Sequence, residues 1–558
     1  MNPLASVALL TFATAASAGT GLTAQSVLPL THSPEPTTAA ITVGDLMTRL
    51  YIVAADSMQG RETGTIGNVK GTDYIASELA RIGVVPAGDN GTYFQTVPYG
   101  SRALVASSSI VIGGSRSLVG EDFLPASGAL RAAGLKAVYG GVATADGVAI
   151  TPEQARGNLV VLTAAPDANA RRLRRFQVPG AAAVAIAMLD DVPQNVRQTF
   201  LRPQGFLDDP AAGGVTPPPV LLLTRSAVGR MFTSPLERLQ PGAEGAPVDL
   251  DIHYDAQAMP YPSRNVVGII PGSDPRLAGE YVAIGAHNDH VGFSGSPVDH
   301  DSLRIWNHVV RPEGADDAAK QATAEQQTQV NELLSAYRAA NPGAQRLDSI
   351  SNGADDDGSG TVTVLEIAQR IASLDPRPKR SILLVWHVGE EKGLLGSQWF
   401  TDHPTVPRES IVAQLNMDMV GRGGADDEAA RTLDGAPIHG GPNFVLLVGS
   451  RRLSSELGDL VERVNAENGH GFEFDYALDA ENHPSRIYQR SDHYEYARYG
   501  IPVVFFTTGL HSDYHQVTDE PQYIDYEHMA RIARLVEDIA RQLGDLDHRP
   551  TLDRPIAD

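Results

Sequence analysis

The chain has 558 residues, more than one hydrophobic core usually supports, so two or more domains are expected. Its 67 acidic residues against 44 basic ones leave a formal charge of -23, which argues against nucleic acid and anionic membrane surfaces as partners. Cysteine is absent, which excludes a disulfide framework, a thiolate metal site and a cysteine nucleophile; any transition-metal site must use His, Asp and Glu.

Leu4 to Ala16 is apolar and small, and Ala16-Ser17-Ala18 offers an A-x-A cleavage pattern, with a second cut possible after Ala24. Residues 1–24 are therefore expected to be a signal peptide and the protein to be exported to the periplasm or medium, although no Lys or Arg precedes Arg49. Elsewhere no run of 18 apolar residues occurs, so no transmembrane helix is expected. Residues 25–41 are rich in Ser, Thr and Pro and read as a mobile leader. Helical spacing starts near Val43, a glycine-punctuated loop covers Gly60 to Gly67, and Ile75, Leu79 and Ile82 mark a second helix from about Thr72.

Between 105 and 254 the texture changes to short Val/Ala/Leu strands, such as Ser109-Ile-Val-Ile and Pro219-Val-Leu-Leu-Leu, with few residues of catalytic type. This is read as an inserted β-rich module, leaving 25–104 and 255–545 to form one further domain and 546–558 as a tail. From Asn265 strands and helices alternate. Strands are expected at Val266–Ile270, Tyr281–Ala286, Ile382–Val385, Ile411–Met417, Val445–Val448 and Pro502–Phe506. Helices are expected over Thr361–Ile371 and through Met529, Ile532, Val536, Ile539 and Leu543. The polar segment 299–350, helical from about Asp316 to Ala339, is read as a surface insertion or lid. The fold class is α/β: a central, mostly parallel, mixed and twisted sheet flanked by helices.

Candidate metal ligands occur at five places near the ends of these strands. They are His287 in Gly-Ala-His-Asn-Asp-His, Asp355 in Gly-Ala-Asp-Asp-Asp-Gly-Ser-Gly, the Glu390-Glu391 pair, Asp418 in Asn-Met-Asp-Met, and His515 in Asp-Tyr-His. The carboxyl ends of strands in open α/β sheets are where functional sites gather. Two His and three carboxylates suit two zinc ions sharing one carboxylate, with Co or Mn as chemical alternatives. His290 and His493 read as supporting or structural, and His387, near the end of the central strand, is open to either reading. Asp316-Asp317 imitates the Asp355 motif but precedes a polar helix, where a buried one should pack on the sheet. Asp355-Asp-Asp-Gly lacks the acids an EF-hand needs, Gly292-Phe-Ser-Gly-Ser misses G-x-S-x-G, and no H-E-x-x-H occurs.

The series H-x-D, G-A-D-D-x-x-S-G, G-E-E-x-G-L-x-G-S, N-x-D-M and D-Y-H resembles the co-catalytic di-zinc aminopeptidases of the aminopeptidase S and aminopeptidase Y type, across most of 43–105 and 255–545. The 105–254 module resembles a protease-associated (PA) domain in texture and position. This resemblance implies that Asp355 bridges two Zn2+ ions, that Glu391 and His515 complete one site, and that His287 and Asp418 complete the other. It further implies a metal-bridging hydroxide with Glu390 as general base, Tyr514 polarising the scissile carbonyl, Asp289 supporting His287, and an unusual peptide bond between Asp355 and Asp356. Substrates would be peptides with a free N-terminus. Asn288, where an aromatic or leucine is common, and the long 299–350 insertion depart from the pattern. A carboxypeptidase, a dipeptidase, a glutaminyl cyclase or a non-catalytic receptor-like protein are the competing readings.

Overall fold

The structure, a computed structural model, describes residues 28–143, 148–165, 178–209, 218–317, 321–343 and 345–555. The expected signal peptide and both cleavage positions lie outside the described residues.

A nine-stranded mixed sheet organises the larger unit. Its centre runs Ser263–Ile270, Ser381–His387, Tyr281–His287, Ile411–Met417, Val503–Thr507 and Phe444–Val448. Tyr281–His287 is parallel to both Ser381–His387 and Ile411–Met417, and Ile411–Met417 is parallel to Val503–Thr507, so four strands deliver their carboxyl ends to one edge. Ser263–Ile270 and Phe444–Val448 join antiparallel on either side. Ser381–His387 is buried at every residue, as its unbroken apolar run requires between two helical layers. Gly360–Ala372 and Tyr526–Asp545 cover one face with Val362, Leu365, Ile532, Val536 and Ile539. Phe400, Tyr488, Tyr496 and Phe505 cover the other.

Eight strands between Ser109 and Ile252 form a separate sheet, and among the described residues its apolar clusters share none with those of the larger unit. The chain enters and leaves this module through Tyr99–Leu104 and Tyr254–Ala258, which pair antiparallel, so the two connections run side by side.

Three expectations are corrected. The described part of the Ser/Thr/Pro leader is tied down: Leu28 packs on the core, and Thr37 Oγ1 donates to Gln369 Oε1 at 2.9 Å. The second helix begins at Ile66, inside the expected glycine loop. Gly67 lies in that helix, and it is glycine that lets the Met58 carbonyl oxygen approach, since a Cβ there would lie 2.1 Å from it. The 299–350 insertion has two helices, His300–Val310 and Ala324–Ala340, above a hairpin of Gly292–Asp299 with Leu347–Ser351. Asp316 itself ends a single 3-10 turn, Gly314–Asp316, outside both of these helices.

Candidate metal centre

The strand ends converge on two groups of ligand-type atoms. His287, Asp356 and Asp418 form one, and His290, Asp356, Glu391 and His515 the other. Asp356 is common to both. Its Oδ1 lies 3.1 Å from His287 Nε2 and its Oδ2 lies 2.9 Å from His515 Nε2, one oxygen for each group. In the first group His287 Nε2 is 3.6 Å from Asp418 Oδ1. In the second, Glu391 places Oε2 3.0 Å from His515 Nε2 and Oε1 2.8 Å from His290 Nδ1. Ligands bonded to a tetrahedral zinc at about 2.0–2.1 Å sit roughly 3.4 Å apart, the spacing of these atoms.

Asp355, expected as the bridge, belongs to neither group. Its Oδ1 accepts the Gly421 N–H at 2.7 Å and its Oδ2 lies 3.2 Å from His511 Nε2. The residue common to both groups is Asp356, one position along the Asp-Asp-Asp run, and the cis peptide bond is Asp356–Asp357. Asp357 is structural: it accepts N–H groups from Gly360 at 2.8 Å, His287 at 3.1 Å and Met419 at 3.3 Å, stitching three strand-end loops together. Asp519 fixes the run from behind by accepting the Asp355 N–H at 3.0 Å and the Asp356 N–H at 3.1 Å.

Backbone geometry aims the other residues. The buried strand Ser381–His387 runs into a turn in which Gly389 has φ +75°, after which Glu390 faces the cavity and Glu391 the second group. His287 Nδ1 lies 3.1 Å from the Asp289 carbonyl oxygen. A carbonyl can only accept, so Nδ1 carries the hydrogen and Nε2 presents its lone pair to Asp356 and Asp418. Asp289 thus supports His287 through its backbone, while its carboxylate accepts from Thr63 at 2.7 Å and from the Glu390 N–H at 3.2 Å. Asp418 Oδ2 accepts from Ser491 Oγ at 2.7 Å, which is held in turn by Asn416 Nδ2 at 2.9 Å. Asn288 does not face the groups; its side chain binds Asn68 and the Trp386 carbonyl.

His290, read from sequence as supporting or structural, stands inside the second group. It is fully buried with neither ring nitrogen hydrogen-bonded. Its ring rests on Gly353, whose φ is +58° and where a Cβ would come within 2.5 Å of the imidazole. His387 lies outside both groups, between Asp492 at 3.3 Å and the Tyr496 hydroxyl at 3.0 Å. His493 is also outside, stacked on Phe505, where burial holds its imidazole down at about 3.

Five buried polar atoms here lack a hydrogen-bond partner: His287 Nε2, both nitrogens of His290, Asp356 Oδ2 and Glu391 Oε1. Buried polar groups are almost always satisfied, so orphaned His and carboxylate atoms facing one another fit zinc, which takes N and O donors of this kind. Burial pushes the Glu390 carboxyl well above its ordinary value; His287 opposes this, and Asp418 and Glu391 add to it. Glu390 opens, with Asp356, Asp418 and Tyr514, onto a cavity of about 160 Å³ whose apolar wall includes Met419, Leu478, Ile487, Phe505 and Leu510.

Residues 342–540 match the model of Peptidase family M28. Leucine aminopeptidase 1 of Aspergillus oryzae is 29% identical over 201 residues, covering 34% of this chain and 47% of that protein. Leucine aminopeptidase 1 of Fusarium vanettenii is 29% identical over 203 residues, covering 35% and 47%. The chain spans about half the length of the curated relatives it matches. Among solved structures it is similar to an aminopeptidase from Aneurinibacillus sp. strain AM-1, with TM-score 0.47 and 14% identity over 93% of this chain and 97% of that one. A zinc aminopeptidase from Bacillus subtilis gives a TM-score of 0.43 and 16% identity over 91% and 96%. The matched span, residues 342–540, carries Asp356, Glu390, Glu391, Asp418 and His515.

Proposed function

We propose that this protein is an exported zinc-dependent aminopeptidase that removes N-terminal residues from peptides, with two zinc ions held either side of Asp356. His287 and Asp418 would hold one ion with Asp356; His290, Glu391 and His515 would hold the other with it. The observation that carries this reading is the split Asp356 carboxylate, with one oxygen in each group of orphaned ligand atoms. Three carboxylates, Asp356, Glu391 and Asp418, offset most of the charge of two divalent ions and leave the centre attractive to a carbonyl oxygen. When bound, the ions supply Lewis acidity and a water whose pKa falls toward about 7.

The chain's own residues do the rest. Glu390, buried with a carboxyl that favours holding a proton, takes one from the attacking water and passes it to the leaving amine. Tyr514, on the wall of the same cavity, offers its phenol hydrogen to the scissile carbonyl oxygen. The apolar wall of Met419, Leu478, Ile487, Phe505 and Leu510 suits an apolar first residue. Export rests on the Ala16-Ser17-Ala18 pattern, and the 105–254 module is proposed to be a PA domain.

The test is a panel of free-amine aminoacyl anilides beside their N-acetylated counterparts. Release from free-amine substrates alone, lost on chelation and restored by zinc, is the expected result. Equal hydrolysis of acetylated substrates, or activity indifferent to chelation, would overturn the proposal.

A further inference from the structure

The 299–350 insertion does not stand off from the site. Its short turn Gly314–Asp316 is pressed against the loop that carries His515. The Ala315 N–H donates to the Tyr514 carbonyl at 3.1 Å. Gly314 has φ +57°, and a Cβ there would lie 2.7 Å from the Tyr514 carbonyl oxygen and 2.9 Å from that of His511, so only glycine allows this approach. Ion pairs fix the turn and its helix in the same place. Arg304 Nε meets Asp513 Oδ2 at 3.3 Å with its guanidinium stacked 3.8 Å over Tyr523, and Glu313 meets Arg431 at 3.4 Å.

Asp316 reaches furthest. Its two oxygens lie 2.9 and 3.1 Å from the two terminal nitrogens of Arg490, a bidentate pair that fixes the guanidinium plane as well as its position. Arg490 and Tyr514 share the wall of one cavity, where their side chains interact electrostatically. Asp316, Arg490 and Tyr514 all line the cavity that holds Glu390 and Asp356. We propose that the inserted turn is a positioning device in which Asp316 orients Arg490 and Arg490 holds the Tyr514 phenol toward the scissile carbonyl. Asp316 and Arg490 are positioning residues; neither is assigned contact with the reacting atoms. This rests on the role given above to Tyr514. The Asp316–Arg490 pair is about one-third exposed on both sides, so it contributes little to stability and can be removed without unfolding the domain.

The experiment compares D316N, D316E and Y514F, and the double variant D316N/Y514F, on a free-amine aminoacyl anilide, with metal content and thermal unfolding measured on each. D316N should lower kcat about tenfold with KM changed less than about twofold, since misplacing a polar group by a fraction of an ångström costs rate more than ground-state binding. D316E should recover most of the loss. In the Y514F background D316N should cost less than about twofold, because the group it positions is gone. A crystal structure of D316N should show the Tyr514 ring turned from its native position. An equal loss from D316N in both backgrounds, or an unchanged kcat in D316N beside a disabled Y514F, would remove the role of the inserted turn alone. A Y514F enzyme with native kcat would instead remove the role of the phenol, and this proposal with it.

Discussion

Replacing Asp355 and Asp356 in turn by Asn separates two neighbouring carboxylates with different duties. Asp356 contributes one oxygen to each group, at 3.1 Å from His287 and 2.9 Å from His515, and Asn would take away the charge and one of the two acceptor oxygens. Loss of a supporting partner alone typically weakens metal binding 10–100-fold, so loss of a shared ligand should cost at least about 100-fold, or roughly 3 kcal/mol, for the weaker ion. Asp355 binds the Gly421 N–H and faces His511 Nε2. His511 Nδ1 accepts the Asp513 N–H, so Nε2 carries the hydrogen, 3.2 Å from Asp355 Oδ2. The amide introduced by D355N can satisfy Gly421 with its oxygen, but it would set an N–H₂ against that donor, an unsatisfied buried contact costing about 1–3 kcal/mol of stability. The assay is metal content after equilibration with a graded chelator, alongside urea unfolding in excess chelator. D356N should lose metal with little change in the chelated unfolding curve, and D355N should keep metal and unfold at lower urea. The reverse pattern would refute the assignment of the bridge.

Glu390→Gln removes a proton acceptor that belongs to neither ligand group, so kcat should fall about 10²–10⁴-fold with metal content unchanged; a fall explained by metal loss would make Glu390 a ligand instead. Gly353→Ala forces a Cβ to within 2.2 Å of the Asp356 carbonyl and 2.5 Å of the His290 ring. Chelator competition should show affinity at the second group weakened by about 10–100-fold, and unaltered affinity would show that His290 contributes nothing there. Burial, with the charges of Asp348 and Asp56 adding, pushes the Glu520 carboxyl up to about 8, and Asn352 donates to it at 3.1 Å. The folded chain keeps this proton where the unfolded chain releases it, so this contribution to stability is full below the ordinary carboxyl range and is lost as pH rises toward 8. Glu520→Gln should therefore match the parent in urea unfolding near pH 4 and exceed it by roughly 2–4 kcal/mol at pH 9. A difference that does not change with pH would contradict this.

Much of the architecture was legible because buried strands write themselves as apolar runs. Ile382–Val385, Ile411–Met417 and Pro502–Phe506 each correspond to a strand of the central sheet within two residues. What the sequence could not resolve lies where geometry is set by distant contacts. Three successive aspartates look alike in one dimension, and Asp356 and Asp357 have non-helical backbone angles that no periodicity predicts. Which of the three faces the groups depends on Asp519, Gly421 and His511, all far along the chain. His290 enters the second group only because Gly353, in a left-handed conformation, leaves room for its ring. The helix His300–Val310 escaped notice because its buried positions include His300 and Asn307, which do not mark an apolar stripe. Asp316 was set aside as a decoy of the Asp355 motif; its pairing with Arg490 spans 174 residues and leaves no local signature.

The proposed centre places Asp356 between two metal ions. Anomalous diffraction from zinc-loaded crystals, collected above and below the zinc absorption edge, tests it most directly. The predicted result is two difference peaks about 3.5–4 Å apart, one against His287 and Asp418 and one against His290, Glu391 and His515, with an Asp356 oxygen on each. A single peak, or density beside Asp355 and His511, would contradict it.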